Sequence, residues 1–417
     1  MIGTANLPGK YQTVSDALPA GWKWLRLGEH ASKIGSGITP RGGSDSYLKQ
    51  GIPLIRSQNV HMSRFEPSGL AFISDEQDAA MAGSRVCPGD VLLNITGASI
   101  GRVCVVPPES CPANVNQHVS IIRCNGEIDS DYLAYYLAQR DFQKSILDSQ
   151  AGATRQALTK ELIQNFRIAA PALAEQKRIA GILKEQLAAV DRARAAAEAQ
   201  LDAANALPVA YLRSVFDGSQ VSKWPNRKLG AIARLQRGKF TPRPRTDPRY
   251  FGGPHPWIQI GNVEGAGMYV TTRMGSLNDL GLSVSKKFPA GTLVVSIAAT
   301  VGALGILSFD ACMPDSLVGI TPIDGQADTE FLYFLLTFVR SHLESIAPQM
   351  AQANLSVALL EGLVLPIPDA GLQRTIAAAF KERFAVSDRL RTKIQSQLNV
   401  IDAMPAALLR SAFQGRL

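Results

Sequence analysis

LPVAYLRSVFDGS at residues 207–219 and MPAALLRSAFQGRL at residues 404–417 are two versions of one segment. At a constant offset of 197 residues, seven of twelve aligned positions are identical. The identical pairs are Pro208/Pro405, Ala210/Ala407, Leu212/Leu409, Arg213/Arg410, Ser214/Ser411, Phe216/Phe413 and Gly218/Gly415. A segment that occurs in the middle of a chain and again at its end indicates an internal repeat.

The repeat extends along most of the chain in a fixed order. Five further pairs of segments match: 24–28 with 224–230, 52–60 with 255–263, 85–95 with 287–297, 131–137 with 330–336, and 174–183 with 371–380. The offset drifts from about 202 to 197, as expected where loops gain and lose residues between fixed elements. Each half is therefore one unit of roughly 200 residues, and the duplication predicts a pseudo-two-fold architecture.

Within each half the composition changes once. The first part is rich in Gly, Pro, Thr and short β-branched runs such as 119–123, which predicts a mixed α/β domain. After Pro171, and again after Pro368, the sequence becomes long and helical. We therefore expect an α+β fold in four regions. These are a first mixed domain at 1–170, a first helical region at 171–218, a second mixed domain at 219–368 and a second helical region at 369–417.

Both helical regions carry apolar residues spaced by four and three positions, the pattern of a coiled-coil seam. The seam residues are Leu183, Leu187, Val190 and Leu201 in the first region and Phe380, Phe384, Ile394, Leu398 and Ile401 in the second. A helix of about 33 residues makes a rod of roughly 50 Å, whose apolar stripe needs a partner. We expect the two helices to form an antiparallel coiled coil; the alternative is that each helix packs on its own domain. Pro208 and Pro405 are expected to begin short terminal helices that end at Gly218 and Gly415.

The charge of the chain favours a polyanionic partner. The 417 residues are 46% hydrophobic, with a formal net charge of +8 and a pI near 9.3. Lys and Arg gain free energy by displacing counterions from phosphate.

Five cysteines without CxxC pairs, and an N-terminus without an apolar core, predict free thiols and a cytoplasmic protein. The uncharged stretch 288–307 contains Pro289, Gly291, Gly302 and Gly305, which favours two buried strands and a turn over a membrane span.

The sequence contains no recognised catalytic constellation. Its five histidines form no HxxxH or HExxH pair and no GxxxxGK[ST] motif occurs, so neither a metal site nor a nucleotide site is predicted. The Asn-Pro-Pro-aromatic tetrapeptide typical of amino-methyltransferases is absent. The triplet 175–177, Glu-Gln-Lys, has nuclease-like spacing but no Pro-Asp before it, and we expect its charges to face solvent. The chain is therefore expected to be non-catalytic and to hold no cofactor of its own.

Lys and Arg are concentrated in segments that could contact the phosphates of a nucleic acid. Residues 223–250 hold nine Lys or Arg against one acid, Asp247, interleaved with Gly, Thr and Pro that indicate exposed loops, although such a run is also consistent with a solvated basic loop. A weaker copy occurs at 32–44, and polar side chains suited to base edges recur nearby. The candidate DNA-binding residues are Ser36, Thr39, Arg41, Arg56, Ser57 and Asn59 in the first half and Arg237, Lys239, Thr241, Arg243, Arg245, Arg249, Gln259 and Asn262 in the second.

Together these features resemble one known family. Two variable units, each opening with Trp…Leu-Gly and closing with Pro-x…Gln-(Lys/Arg)…Ile into a long helix, resemble the specificity subunit of type I restriction–modification systems. The resemblance implies that the mixed domains are target recognition domains, each reading half of a bipartite, asymmetric site in double-stranded DNA. It implies that the helices set the spacer and dock two modification subunits, which bring S-adenosylmethionine-dependent adenine methylation, with restriction subunits bringing cleavage.

The family pattern Gly-(Ser/Ala)-Thr-(Arg/Gln) at the exit of the recognition domain is matched by residues 152–155, which makes Arg155 a further DNA-binding candidate by resemblance. The second half departs from it with Ala-Gln-Ala-Asn at 351–354. Two rival hypotheses remain. A coiled-coil scaffold with incidental charge predicts no sequence-selective DNA binding, and an enzyme with unfamiliar motifs predicts turnover by the chain alone.

Overall fold

The computed structural model describes residues 18–150, 157–298, 300–346 and 356–417. The chain forms two compact units: the first contains Met1–Glu198 and Ser396–Leu417, and the second contains Ala199–Gln395. Each unit combines a mixed α/β part with one segment from each of two long helices. The α+β class and the internal repeat are confirmed, while the division into four regions stays a prediction.

The first unit is built on two four-stranded sheets. Its strands are β1 (Lys23–Arg26), β2 (Ala31–Ser36), β3 (Ile52–Ile55), β4 (Val60–His61), β5 (Arg64–Phe65), β6 (Ala71–Ile73), β7 (Arg85–Val86), β8 (Val91–Asn94), β9 (Val103–Val105), β10 (Ala113–Val115), β11 (Val119–Cys124) and β12 (Arg167–Ala170). Its short helices are α1 (Asp75–Ala80), α2 (Ser130–Ala138), α3 (Arg140–Gln150) and α4 (Lys160–Gln164), and the long helix α5 (Leu173–Phe216) follows. The sheet orders are β2-β11-β8-β9 and β6-β3-β10-β7, while β1 pairs with β12 and β4 with β5.

The second unit repeats this plan. Its strands are β13 (Asn226–Lys228), β14 (Ala233–Arg237), β15 (Phe251–Trp257), β16 (Tyr269–Val270), β17 (Gly275–Leu277), β18 (Lys287–Phe288), β19 (Leu293–Ser296), β20 (Leu304–Leu307), β21 (Ala311–Cys312), β22 (Leu317–Pro322) and β23 (Val364–Pro366). Its helices are α6 (Leu229–Ile232), α7 (Ile260–Glu264), α8 (Asp279–Ser283), α9 (Thr329–Ile346), α10 (Val357–Glu361) and the long α11 (Ala370–Phe413). The sheet orders are β14-β22-β19-β20-β16 and β17-β15-β21-β18, and β13 pairs with β23.

In each unit the central sheet is buried on both faces, because a helix covers one face and the second sheet covers the other. Val91 and Leu93 of β8 pack with α2, while Leu92 packs with Ile55 and Val115 of the other sheet. The equivalent strand β19 alternates in the same way between α9 and the second sheet. Alternation of side chains along a strand produces this division. The expected pair of buried strands within 288–307 is confirmed as antiparallel β19 and β20.

The two long helices are antiparallel where they meet in the first unit. Arg178, near the start of α5, donates from Nη2 to the main-chain oxygen of Leu417 at 2.7 Å. Further along α5, the Arg194 Nε lies 3.4 Å from an Asp402 carboxylate oxygen. Because the residue number falls on α11 as it rises on α5, the helices run in opposite directions. Phe413 then inserts between Tyr132 and Tyr136, with ring centroids 5.4 and 5.1 Å away.

The second unit contains the complementary antiparallel pair. The Arg383 guanidinium lies over the Tyr211 ring, 5.4 Å from its centroid, and the rings of Phe216 and Phe380 are 5.5 Å apart. Phe216 also contacts Phe331 of α9 at 5.9 Å, matching the place of Phe413 in the first unit. The antiparallel pairing predicted from the seam is therefore present in each unit, and each helix end also packs on a mixed domain.

The predicted seam residues lie on the buried side of the two helices. Leu183, Phe380, Ile394 and Leu398 are buried, and Leu187, Val190, Leu201, Phe384 and Ile401 are half-buried. Between Val190 and Leu201 on α5, Arg194 is exposed, and its Nε donates to the Glu198 carboxylate of its own helix at 3.0 Å.

The expectation that Pro208 and Pro405 begin separate terminal helices is wrong. Both prolines lie inside continuous helices of 44 residues each, about 66 Å long at 1.5 Å per residue. A proline inside a helix frees the carbonyl four residues earlier. For Pro208 that carbonyl belongs to Ala204, and the buried Ser387 hydroxyl donates to it at 3.2 Å. A partner helix therefore compensates for the missing bond.

Of the two charged residues in the triplet 175–177, Lys177 is exposed and Glu175 is half-buried, while the uncharged Gln176 between them points inward. Gln176 is buried, where its amide donates to the Pro171 carbonyl at 3.0 Å and its oxygen accepts from the Asp129 amide at 3.0 Å. Gln373 makes the same bonds in the second unit, to Pro368 and Asp328, both at 2.8 Å. These glutamines attach the start of each long helix to its mixed domain, which gives the repeated Pro-x…Gln pattern a structural reason.

All five cysteines are free thiols, as predicted. Burial raises the pKa of Cys104 to about 12 and that of Cys124 to about 11, so neither is a reactive thiolate at neutral pH. Within the described ranges, no helix is both long enough and apolar enough to cross a bilayer.

Candidate nucleic-acid interface

Loops from four parts of the first unit meet at one end of its central sheet; we call this the first-unit edge. It contains the loop after β2, the turn after β3, the loop between β8 and β9, and the turn between β10 and β11. Backbone bonds hold these segments together: Gly37 N donates to the carbonyls of Asn116 (3.2 Å) and Val119 (3.3 Å), and Ile95 N donates to that of His118 (3.0 Å). The Asn94 amide adds a bond to the Ser57 carbonyl at 2.9 Å.

The second-unit edge repeats these connections with different side chains. Gly238 N donates to the Leu317 carbonyl at 2.9 Å, Lys239 N to that of Met313 at 3.0 Å, and Ile297 N to that of Ser316 at 3.0 Å. The loop after β14 therefore lies beside the turn between β21 and β22, as the loop after β2 lies beside the turn between β10 and β11. One backbone scaffold presents two different sets of side chains.

Glycine is required where the edge loops begin. A Cβ on Gly37 would lie 1.7 Å from the Val115 carbonyl oxygen, and a Cβ on Gly238 would lie 2.3 Å from that of Pro314. Both values are far inside van der Waals contact, so only a residue without a side chain lets these backbones approach. Gly37 precedes a Thr-Pro pair at 39–40 and Gly238 precedes a Thr-Pro pair at 241–242, so both loops begin at a close backbone crossing.

Asn59 and Asn262 serve the scaffold in the same way. The Asn59 oxygen accepts from the Arg56 amide at 3.0 Å, and the Asn262 oxygen accepts from the Gln259 amide at 3.0 Å. Asn59 is fully buried, and its amide also donates to the carbonyls of Glu66 and Ser68. Its hydrogen-bonding groups are already used, so in this arrangement Asn59 cannot read a base edge as the sequence pattern suggested.

The other first-unit candidates differ in exposure. Ser36 and Arg41 are exposed, whereas Thr39 and Ser57 are half-buried. Arg56 is half-buried: its Nη2 donates to the Gly69 carbonyl at 2.7 Å and its guanidinium lies over the Tyr47 ring. It therefore braces a neighbouring loop. Arg155 and the rest of 152–155, like the contrasting 351–354, lie outside the described residues.

The second-unit candidates form an exposed cationic rim. The exposed members are Arg237, Lys239, Thr241, Arg243, Arg245 and Arg249, while Gln259 and Asn262 are half-buried. Arg243 folds back to donate to the carbonyls of its own loop, including that of Pro242 at 2.9 Å. Arg249 pairs with Asp247 at 2.6 Å; this hydrogen bonding raises the pKa of Arg249 and lowers that of Asp247.

The structure adds an acid that the sequence pattern did not reveal. Asp315, in the turn between β21 and β22, accepts from Arg245 Nη2 at 2.5 Å. Its first-unit counterpart is Gln117, next to His118, whose Nδ1 lies 2.6 Å from the Thr96 hydroxyl. Short polar turns between two apolar segments, here 116–118 and 314–316, were the available signal. The sequence alone does not show that these turns lie beside the loops that begin at Gly37 and Gly238.

These features define a class before any comparison: a duplicated protein whose two units each present a polar edge on the same backbone scaffold, with different side chains in each unit and many cations in the second. Within the described residues no cluster of three or more His, Cys, Asp or Glu could hold a metal ion. Cationic and amide side chains at such an edge can contact phosphates and base edges.

A family model for the type I restriction modification DNA specificity domain matches the chain twice, at residues 19–197 and 221–400. Because the two matches span most of the sequence, the chain belongs to this family. It is a specificity subunit, a class that is non-catalytic, and the scaffold hypothesis has less support.

Relatives and solved structures agree with this assignment. The chain is 22% identical to a putative type I restriction enzyme MjaX specificity subunit of Methanocaldococcus jannaschii, over 90% of this chain and 89% of that one. It is 22% identical to the EcoKI specificity subunit of Escherichia coli K12, over 96% and 90%. The fold matches the HsdS subunit of Thermoanaerobacter tengcongensis at a TM-score of 0.66 and 19% identity, covering 96% and 98%. A chain from a study of complex assembly and conformational transition of the type I R-M system matches at 0.75 and 20% identity, covering 97% and 100%.

Proposed function

We propose that this chain directs a type I restriction–modification complex to a bipartite, asymmetric site in double-stranded DNA. The first-unit edge reads one half of the site and the second-unit edge reads the other. The observation that carries the proposal is the recurrence of one backbone scaffold, built around Gly37 and Gly238, with different side chains on it. One backbone scaffold that carries different side chains in the two units suits the recognition of two different half-sites.

The exposed cations of the second-unit edge supply phosphate contacts that fix its register on the duplex, and polar side chains supply base contacts. Half-sites about one helical turn apart fall on one face of the DNA. Lys239 and Arg243 are the phosphate-binding candidates, because both are exposed and neither forms an ion pair within the described part of the chain.

We further propose that two modification subunits dock on the long helices. Apolar side chains are exposed there, including Val209 (51%), Val386 (47%) and Val400 (59%), and exposed apolar surface is typical of protein contact sites. The modification subunits would bring S-adenosylmethionine and methylate adenine, restriction subunits would bring cleavage, and the complex would act in the cytoplasm. The family to which the chain belongs supports this assignment of partners.

The phosphate contacts are tested by the salt dependence of DNA binding by the complex. Replacing Lys239 and Arg243 with Ala should lower the slope of log K against log salt by about 0.9 for each lost contact. The matched control replaces Lys223 and Lys228, which belong to the same cationic stretch but precede β14, whereas the edge lies at its far end. The control should leave the slope unchanged. An unaltered slope in the Lys239/Arg243 variant would place the phosphates elsewhere.

A further inference from the structure

Two arginines converge on one residue of the second-unit edge. Arg245 donates from Nη2 to the Asp315 carboxylate at 2.5 Å, and Arg237 donates from Nε to the Asp315 main-chain oxygen at 2.5 Å. The side chains of Arg245 and Asp315 remain 42% and 39% exposed. The pair joins the loop after β14 to the turn between β21 and β22 across 70 residues of sequence. Both groups are thus fixed to the scaffold and still accessible.

The neighbouring cations have different surroundings. Arg243 donates to three carbonyls of its own loop, and Lys239 is exposed. Arg249 has an acid, Asp247, but that acid lies two residues away, and the Arg249 side chain is 75% exposed. Arg245 is therefore the cation of this loop that a carboxylate from another segment holds in place.

A carboxylate beside a guanidinium changes what the guanidinium binds. The negative charge of Asp315 offsets the attraction of Arg245 for phosphate and repels a phosphate that approaches both. The guanidinium has five N–H donors in a planar fork, so donors remain after one bond to Asp315. Neutral acceptors on a base edge suit such a group better than phosphate does.

The Arg–Asp pair also matches one base pair as a unit. Guanine presents the O6 and N7 acceptors in the major groove, which an arginine fork binds bidentately, and the paired cytosine presents an N4 donor that a carboxylate accepts. Donor and acceptor lie side by side on the protein and on the G·C pair. The corresponding turn of the first unit has the neutral Gln117 in place of Asp315.

We propose that Arg245, positioned by Asp315, reads a G·C pair in the half-site of the second unit. This inference rests on the proposed function, because it requires that the second-unit edge lies in the groove of a specific site. Arg245 is the specificity-determining residue, and Asp315 is a positioning residue that also opposes phosphate binding by Arg245.

The test selects sites from a randomised DNA library with the purified complex of this chain and its modification subunits. Wild type should require G·C at one position of one half-site. Arg245→Ala should reduce that discrimination about 10- to 100-fold, the value of one bidentate contact, and leave the other half-site unchanged. Arg245→Lys should not restore it, since an ammonium retains the charge without the fork.

The variant Asp315→Asn distinguishes a role of Asp315 in positioning Arg245 from a role in the folding of the second unit. Discrimination at the same base pair should fall, while binding to unrelated DNA strengthens and its salt slope steepens, because Arg245 becomes available to phosphate. An unfolded unit would instead lose both kinds of binding. Lys228→Ala is the control: it removes one exposed cation of the same cationic stretch, before β14 and away from the edge, and should leave discrimination at every position within about twofold.

Three results separate the hypotheses. Uniform weakening by Arg245→Ala that Arg245→Lys restores would make Arg245 a phosphate contact and overturn the inference. The inference would also be overturned if the selected site contained no G·C pair that responds to these variants. The proposed function would then still stand. Absence of any sequence preference in the wild-type complex would contradict the proposed function itself.

Discussion

At equivalent buried positions the two units have side chains of different chemistry on the same backbone conformation. In the first unit Asp90 is buried and accepts from Arg123 Nε and Nη2, both at 2.8 Å. In the second unit the equivalent residue is Thr292, whose hydroxyl donates to the Pro289 carbonyl at 2.8 Å. Each follows a glycine with positive φ, 83° at Gly89 and 85° at Gly291. The backbone is retained and the side chains vary, as they do at the two edges.

The largest expected effect is at the buried ion pair. Asp90→Ala leaves Arg123 without its partner, and removal of one member of a buried pair costs about 3–5 kcal/mol. The Arg123 side chain is 32% exposed and can turn to water, so we expect about 3 kcal/mol. The free energy of unfolding from chemical denaturation of the full chain measures this loss.

A double variant tests whether the two solutions are interchangeable. Asp90→Thr with Arg123→Thr gives the first unit the residues found at positions 292 and 321, and it should recover most of the lost stability. The control Thr292→Ala should cost about 1 kcal/mol, the value of one neutral hydrogen bond. If the double variant were as unstable as Asp90→Ala, the equivalence of these positions would be wrong.

The next effect is at the glycine crossings. Gly37→Ala should cost about 2 kcal/mol, within the range for overpacked sites, because its Cβ would collide with the Val115 carbonyl. It should also displace the loop that carries Thr39 and Arg41 and weaken DNA binding by the complex. Gly35→Ala, two residues earlier in β2, is the control, since no atom lies within 4 Å of its Cβ. Equal tolerance of both changes would argue against the crossing.

The smallest effect distinguishes the two helix prolines. Ser387→Ala removes the donor to the carbonyl freed by Pro208 and should cost about 1 kcal/mol. The first-unit residue that corresponds to Ser387 at the repeat offset of 197 is Val190, whose side chain has no donor. Val190→Ala therefore serves as the comparison and should lose only apolar contact. A neutral Ser387→Ala variant would mean that water satisfies the carbonyl equally well.

Much of the fold could be predicted from the sequence because it depends on periodicity. The repeat follows from segments that match in a fixed order, the helical seam from the spacing of its apolar residues, and the buried strands within 288–307 from an uncharged run interrupted by Pro and Gly. The prolines were misjudged because local rules place a proline at the start of a helix, whereas both long helices continue through theirs. At Pro208 a tertiary bond from Ser387 satisfies the freed carbonyl. Such a bond joins residues 183 positions apart and leaves no local signal.

The candidate edge was predicted in part. Cation density located the second-unit rim, including Lys239 and Arg243, because exposed charges in Gly/Pro-rich loops are visible in sequence. Asn59 was misjudged and Asp315 was missed for one reason: whether a polar group is free or already bonded depends on neighbours brought from other strands. The residue type shows which hydrogen bonds a side chain can form, and the fold determines whether they form with the protein or remain available for DNA.

The central claim is that one chain assigns two different half-sites to one complex. It is tested most directly by sequencing the methylated bases of the genome with the gene present, with the gene deleted, and with Arg245→Ala in its place. Deletion should abolish methylation of one bipartite motif, and Arg245→Ala should relax one half of that motif. Unchanged methylation after deletion would contradict it.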